Sequence, residues 1–295
     1  MQMTFSQQTS QEPSSPRTGV SKAGGRRFSG AVAAGSKNMP VVTVITAVFN
    51  GEKTLANCLD SVLIQDYPNV EHVVMDGGST DGTLEILERY SDRIAFWKSE
   101  PDEGIYDAWN KGLKEARGEW ISFLGADDQF LPHAISAYMA LAELNPRAEF
   151  LSSRIRIAYP QGFEKTAGEP WTWSRFSRSM CAVHVGSMHR RDLFEKYGVF
   201  DTSYKSAADY EFLLRPRGRL KAAFTPAVTA TMRAGGSSST LQSLNEKAKA
   251  KIVTGGRNRI IASIEMLLDD AQFLVRPALY FLRALAAPKR GDPAA

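Results

Sequence analysis

The sequence predicts an α/β fold: a mostly parallel sheet flanked by helices, with a helical extension at its C-terminal end. Three observations lead there. β-Branched runs alternate with helical stretches from Val41 to Leu124, the pattern of parallel strands joined by crossover helices. Several of these runs end in short polar or acidic residues, where open sheets of this kind place their ligands. A content of 43% hydrophobic residues in 295 supplies a sizeable core and excludes disorder throughout.

The elements follow in order. Val41 to Phe49 is a β-branched run that stops at the turn signal Asn50-Gly51. Leu55, Leu59, Val62 and Leu63 then fall at helical spacing, and Val70 to Met75 reads as a second strand running into Asp76-Gly77-Gly78. Ser79-Thr80-Asp81 supplies short polar residues to cap a helix through Leu84, Ile86 and Leu87. Ile94 to Trp97 is the third strand, a helix follows from about Ile105 to Ala116, and Trp120 to Leu124 is a buried fourth strand leading to Asp127-Asp128. Asn50-Gly51, Asp76-Gly77-Gly78 and Asp127-Asp128 should therefore converge on one crevice. Beyond Phe150 the pattern is less regular, with Trp171, Trp173, Phe176 and Met180 close together before His184 to Arg191. Ile260 to Leu285 is mostly apolar but broken by charged residues and Pro277, as expected of two helices meeting at that proline. This reading divides the chain into a disordered basic leader (1–39), a main domain (40–245, with halves 40–130 and 131–245) and a C-terminal helical extension (246–295).

Charge and cysteine usage narrow the function classes. The leader holds Arg17, Lys22, Arg26, Arg27 and Lys37 against Glu12 alone, so it accounts for the whole net charge of +4. The rest of the chain is balanced, which argues against a basic nucleic-acid groove. The two cysteines, Cys58 and Cys181, have no metal-binding neighbours in sequence, which fits a reducing cytoplasm. Ala31-Val32-Ala33-Ala34 is too short for the apolar core of an export signal, and no window reaches the apolar length expected of a membrane span.

Asp128 at a strand end suits a hard divalent cation, because Mg²⁺ and Mn²⁺ prefer oxygen ligands and complete their shells with substrate phosphates. Asp127, one residue back, is expected to point elsewhere and to accept from a ribose hydroxyl. Asp76, followed by two glycines that allow close backbone approach, suits a nucleobase or ribose. Each aspartate taken alone could equally cap the following helix.

Together the motifs carry a resemblance. Thr46-Ala47-Val48-Phe49-Asn50, the run Val74 to Thr83 containing Asp76-Gly77-Gly78-Ser79-Thr80-Asp81-Gly82, the run Asp102 to Gly112, and Gly125-Ala126-Asp127-Asp128 resemble family 2 glycosyltransferases of the GT-A fold, and within them the bacterial exopolysaccharide and colanic-acid type. The resemblance covers about residues 41–235. It implies a nucleotide-diphosphate sugar, most commonly of UDP, held across the strand ends. By position, Ala47 and Phe49 would frame the base, and Asp76 would meet the base or ribose. Asp102 and Tyr106 would lie near the donor, and Asp127 and Asp128 would match an Asp-x-Asp type of motif that holds Mn²⁺ or Mg²⁺. His184 is a further candidate metal ligand or a structural histidine, and Arg190 and Arg191 are candidate phosphate partners; His72 and His133 read as structural.

Glycosyl transfer needs a base for the acceptor hydroxyl. The segment Ser206 to Arg215 sits where the family carries its catalytic carboxylate, and Asp209 is the candidate, with Glu211 a second possibility. Attack opposite the nucleotide would invert the anomeric centre. The Gln-x-x-Arg-Trp motif of processive synthases is absent, which favours transfer of a single hexose. The expected enzyme is thus an inverting, metal-dependent glycosyltransferase acting on a glycan, lipid-linked in this reading, in bacterial surface polysaccharide synthesis. The stretch Leu279 to Leu285, flanked by Arg276, Arg283, Lys289 and Arg290, suits either the inner membrane surface or packing on its own domain. Two competing functions are a metal-dependent nucleotidyltransferase, for which a phosphate-cradling loop is missing, and a non-catalytic sugar-nucleotide-binding partner of a synthase, which would lack the base.

Overall fold

In the computed structural model the described residues are 21–29, 35, 36, 39–235 and 240–267. The predicted alternation is present: β1 (Lys22–Gly24), β2 (Val42–Val48), α1 (Leu55–Leu63), β3 (Val70–Asp76), α2 (Thr83–Arg89), β4 (Phe96–Ser99), α3 (Ile105–Glu115) and β5 (Trp120–Gly125). The second half contains β6 (Gln129–Phe130), α4 (Ala134–Leu144), β7 (Phe150–Ala158), β8 (Glu164–Ala167), α5 (Trp173–Phe176), β9 (Ser187–Arg190), α6 (Asp192–Tyr197), α7 (Ala208–Leu214), β10 (Ala222–Arg233) and α8 (Leu241–Val253). Residues 259–267 are also helical. The expected bend at Pro277 and the stretch Leu279 to Leu285 lie outside the described residues.

All the strands join one sheet in the order β1-β4-β3-β2-β5-β9-β7-β10-β6, with β8 on β7. β4, β3, β2 and β5 are mutually parallel. The central strand β2 is buried at every position. Its Val42 and Val44 pack with Cys58 and Val62 of α1 and Tyr138 of α4, whereas Ile45 and Ala47 pack with Trp109 of α3 on the opposite face. That two-sided burial explains why β2 reads as an unbroken apolar run. Gly112 lets α3 lie close on the sheet, since a Cβ there would sit 2.4 Å from Ile45.

Three boundaries differ from the sequence reading. The third strand runs over Phe96–Ser99, two residues later than expected. The leader is not solvated throughout: Lys22–Gly24 pairs antiparallel with β4. Arg27 is largely buried and forms an ion pair with the buried Glu71, and Phe28 stacks on Phe96. These contacts supply the partners that composition alone did not reveal. The boundary expected between residues 245 and 246 falls inside α8.

Candidate active site

The parallel strands bring their carboxyl ends together in register. Val48 pairs with Asp76, and Ala47 with Gly125, so the turns after β2, β3 and β5 meet at one edge of the sheet. The first two turns are laced together. Asn50, at φ +51°, receives the Thr80 N–H on its side-chain oxygen at 2.9 Å while its own N–H donates to Ser79 Oγ at 2.7 Å. Gly51 N–H donates to Thr83 Oγ1 at 2.8 Å and Glu52 N–H to Asp81 Oδ2 at 3.1 Å. Asp81 also accepts from the N–H of Thr83, the first residue of α2, although the N-cap itself is Gly82 and has no side-chain cap bond. The polar run Ser79 to Thr83 therefore fixes the crevice wall.

Asp76 forms the floor, 2% exposed. It accepts from the Ser79 N–H and hydroxyl and from Ser99 Oγ, the last at 2.6 Å. Asp102 closes over the same place, because a Cβ on Gly77 would lie 2.5 Å from its carboxylate oxygen; Asp102 also accepts the Gly104 N–H at 2.9 Å. Ala47 is buried, whereas Phe49, just beyond β2, is 45% exposed at the rim.

After β5 the chain turns back so that Asp127 and Asp128 face one spot. A point one Cβ above Gly125 lies 2.9 Å from Asp128 Oδ2 and 3.1 Å from Asp127 Oδ1. The expectation that Asp127 points elsewhere does not hold, because this tight turn folds both carboxylates over the glycine. Asp127 is exposed and Asp128 buried, with Asp128 Oδ1 accepting the Arg233 N–H at 3.1 Å. Burial first, and the neighbouring Asp127 charge second, push the Asp128 carboxyl up to about 7. A divalent cation would relieve both penalties, so the pair fits one. Among the described residues no three His, Cys, Asp or Glu side chains assemble a ready-made metal cage.

The base candidate stands on the first turn of α7. Tyr106 of α3 donates its hydroxyl to Asp209 Oδ1 at 2.8 Å. Asp209 keeps part of its surface accessible; its partner Tyr106 lines a concavity with Thr202, Tyr204 and Lys205, a lining that does not include Asp209. Burial raises its pKa, opposed by the Tyr106 hydrogen bond and by the positive charge of Lys247. The Tyr106 hydroxyl thus joins α3 to Asp209. Glu211 is not a competing base: it is 6% exposed and held by Arg215 at 2.6 Å and by the Thr254 hydroxyl at 2.8 Å.

Several candidates prove structural. Arg190 is bound to Asp192 at 2.8 Å, and Arg191 donates to the carbonyls of Gly118 and Ala116 at 2.8 and 2.6 Å. Arg190 pairs with Trp120, at the amino end of β5, so both arginines sit at the opposite edge from the aspartates and do not serve as phosphate partners there. His184 is buried among Trp109, Phe123, His189 and Phe200, with its ring 4.8 Å from Trp109, and burial drives its pKa to about 3. The metal-ligand expectation for His184 is replaced by packing in an aromatic core. Trp171 and Phe176 likewise belong to the core. His72 bonds Thr46 Oγ1 at 2.9 Å, and His133 contacts the Val228 carbonyl at 3.2 Å.

A family profile described as glycosyl transferase family 2 matches residues 43–198. An uncharacterized glycosyltransferase of Mycobacterium tuberculosis is 35% identical over 182 residues, covering 60% of this chain and 68% of that protein. A PGL/p-HBAD biosynthesis glycosyltransferase of Mycobacterium bovis is 30% identical over 187 residues, covering 60% of this chain and 69% of its own. Among solved structures, S. aureus TarS 1–349 in complex with UDP-GlcNAc aligns with TM-score 0.60 and 21% identity, covering 80% of this chain and 72% of that one. The present chain spans 43% of the longer TarS structure. The mannosyltransferase PcManGT of Pyrobaculum calidifontis, in complex with GDP-Man and Mn²⁺, aligns with TM-score 0.61 and 22% identity over 88% of this chain and 79% of that one. At these identities the two solved structures establish a shared fold.

Proposed function

The chain belongs to glycosyl transferase family 2, and from that premise we propose that it moves one hexose, with inversion, from a nucleotide-diphosphate sugar to a hydroxyl of a lipid-linked glycan in bacterial surface or exopolysaccharide synthesis. The observation that carries the reading is the convergence of Asp127 and Asp128 over Gly125, at the carboxyl end of a parallel strand and beside the Asp76–Asp102 floor.

In this reading Phe49 offers its exposed ring to the base, and Asp76, oriented by Ser79 and Ser99, turns its remaining lone pair toward the base or ribose. Asp102 borders the sugar, and Asp127 and Asp128 hold Mn²⁺ or Mg²⁺. When bound, the cation neutralises the diphosphate leaving group. Asp209, fixed by Tyr106, accepts the proton of the acceptor hydroxyl as that oxygen bonds to the anomeric carbon. The bond from that carbon to the diphosphate breaks on the opposite face, and the electron pair leaves with the nucleotide. An α-linked donor gives a β-linked product.

No helix among the described residues is long and apolar enough to cross a membrane. Ile260, Ile261, Ile264 and Leu267 nevertheless stand 47–72% exposed on one helical run, while Ala262 between them is fully buried. An outward apolar face of this kind supports peripheral contact with the cytoplasmic membrane surface that presents the acceptor.

UDP is the expected donor nucleotide, with GDP the other to compare because the fold neighbours hold UDP-GlcNAc and GDP-Man. Calorimetric titration of UDP and GDP, with Mn²⁺ and with EDTA, tests the site in the wild type and Asp128→Asn. Metal-dependent binding of one nucleotide that the variant loses supports the reading; binding indifferent to metal and to the substitution refutes the assignment of Asp128.

A further inference from the structure

Asp209 stands at the second position of a helix of only seven residues, too short to be stiff on its own. Its approach is fixed from α8. Glu246, forty residues beyond Ser206, accepts the Lys205 N–H at 2.9 Å, the Ser206 N–H at 2.8 Å and the Ser206 hydroxyl at 3.0 Å. Gln242, one turn earlier on α8, donates to the same carboxylate at 3.2 Å and helps to orient it. A second tie joins the end of α8 to α7, through the Thr254 hydroxyl and Glu211. Lys205, held by its backbone, also lines the concavity beside Tyr106. α8 lies outside residues 43–198, the part matched by the family profile.

We propose that α8 is a positioning element of the catalytic site, with Glu246 holding the turn that aims Asp209 at the acceptor. The inference rests on the reading of Asp209 as the base. A carboxylate that receives two backbone N–H groups and a hydroxyl makes charge-assisted bonds, stronger than neutral ones. Glutamine offers a single acceptor oxygen and places an NH₂ against one of those donors. The freed turn lets the base wander, and a displacement of about 1 Å at a reacting group costs on the order of a hundredfold in rate. Lys247, the next residue on α8, adds a positive charge that favours the ionised form of Asp209.

The experiment uses the full chain, with UDP-GlcNAc and GDP-Man as donors, Mn²⁺ present and water as the acceptor, reading nucleoside diphosphate release. Amide hydrogen exchange over residues 203–212, UDP and GDP binding, and melting temperature are measured on the same samples. In Glu246→Gln the Lys205 and Ser206 amides should exchange at least about tenfold faster and kcat should fall at least about tenfold, with nucleotide Kd unchanged within about twofold. Ser206→Ala, which removes one of the three bonds, should lose about two- to threefold and covers the case in which Glu246→Gln does not fold. Unchanged exchange overturns the proposed hold, and faster exchange with an unchanged kcat overturns its importance. Asp209→Asn is run in parallel: if it retains full release, the base assignment fails and takes the inference with it. If Asp209→Asn is dead while Glu246→Gln is fully active, only the inference fails. Release from neither donor by the wild type would overturn both.

Discussion

Replacing Asp128 by Asn removes a buried charge whose cost in the metal-free protein can be worked out. The carboxyl titrates near 3.8 when unfolded and at about 7 in the fold, because burial and then the Asp127 charge oppose its ionisation. The folded state therefore binds the proton more tightly, and stability falls as pH rises toward and through 7. Linkage makes this loss grow by roughly 2.5 kcal/mol between pH 5 and pH 8. Asparagine keeps the shape and the oxygen that accepts the Arg233 N–H but does not titrate. The melting temperature of Asp128→Asn in EDTA should thus gain on the wild type by about 5–10 °C across that range. The buried histidines, His72, His184 and His189, are held below their usual pKa by burial and act with the opposite slope. They are common to both proteins and cancel in the difference. Thermal unfolding at four pH values measures the gap, and a gap that stays constant or closes as pH rises would show that the fold does not raise the Asp128 pKa.

Tyr106→Phe removes the hydroxyl that favours ionised Asp209. The acid limb of the rate–pH profile should move to higher pH, with about a tenfold lower rate on that limb and unchanged donor binding; an unmoved limb contradicts the link. Arg27→Ala strands the buried Glu71 without its cation and should cost about 3 kcal/mol by urea unfolding, whereas a loss below about 0.5 kcal/mol would show that the β1 segment is not held through this pair. Ile260→Ser with Ile264→Ser should weaken cosedimentation with anionic vesicles at least about tenfold, since each buried side chain contributes about 1.5–3 kcal/mol; equal partition would remove that face from membrane contact.

The half spanning residues 40–130 was legible in the sequence because its signals are local. β2, α1, β3, α2, α3 and β5 each carry their own periodicity and turn chemistry, and parallel pairing brings the polar turns to one edge. β1 was not legible, since Lys22-Ala23-Gly24 has no apolar pattern and its pairing with β4 is fixed by distant Arg27 and Phe28 contacts. Arg190 and Arg191 looked like phosphate partners by charge, but antiparallel pairing of β9 with β5 carries them to the opposite edge. Asp209 carries a motif signal as the candidate base, whereas the contacts that hold it are not visible in the sequence. Tyr106 lies 103 residues away and Glu246 forty residues beyond Ser206, separations that leave no local trace.

Inversion with Asp209 as the base is tested by proton NMR of the sugar first released when the enzyme hydrolyses an α-linked donor, UDP-GlcNAc or GDP-Man, in the wild type and in Asp209→Asn. The β anomer is expected to appear first, and release to be lost in the variant while nucleotide binding persists. Initial release of the α anomer, or full release by Asp209→Asn, would contradict that assignment.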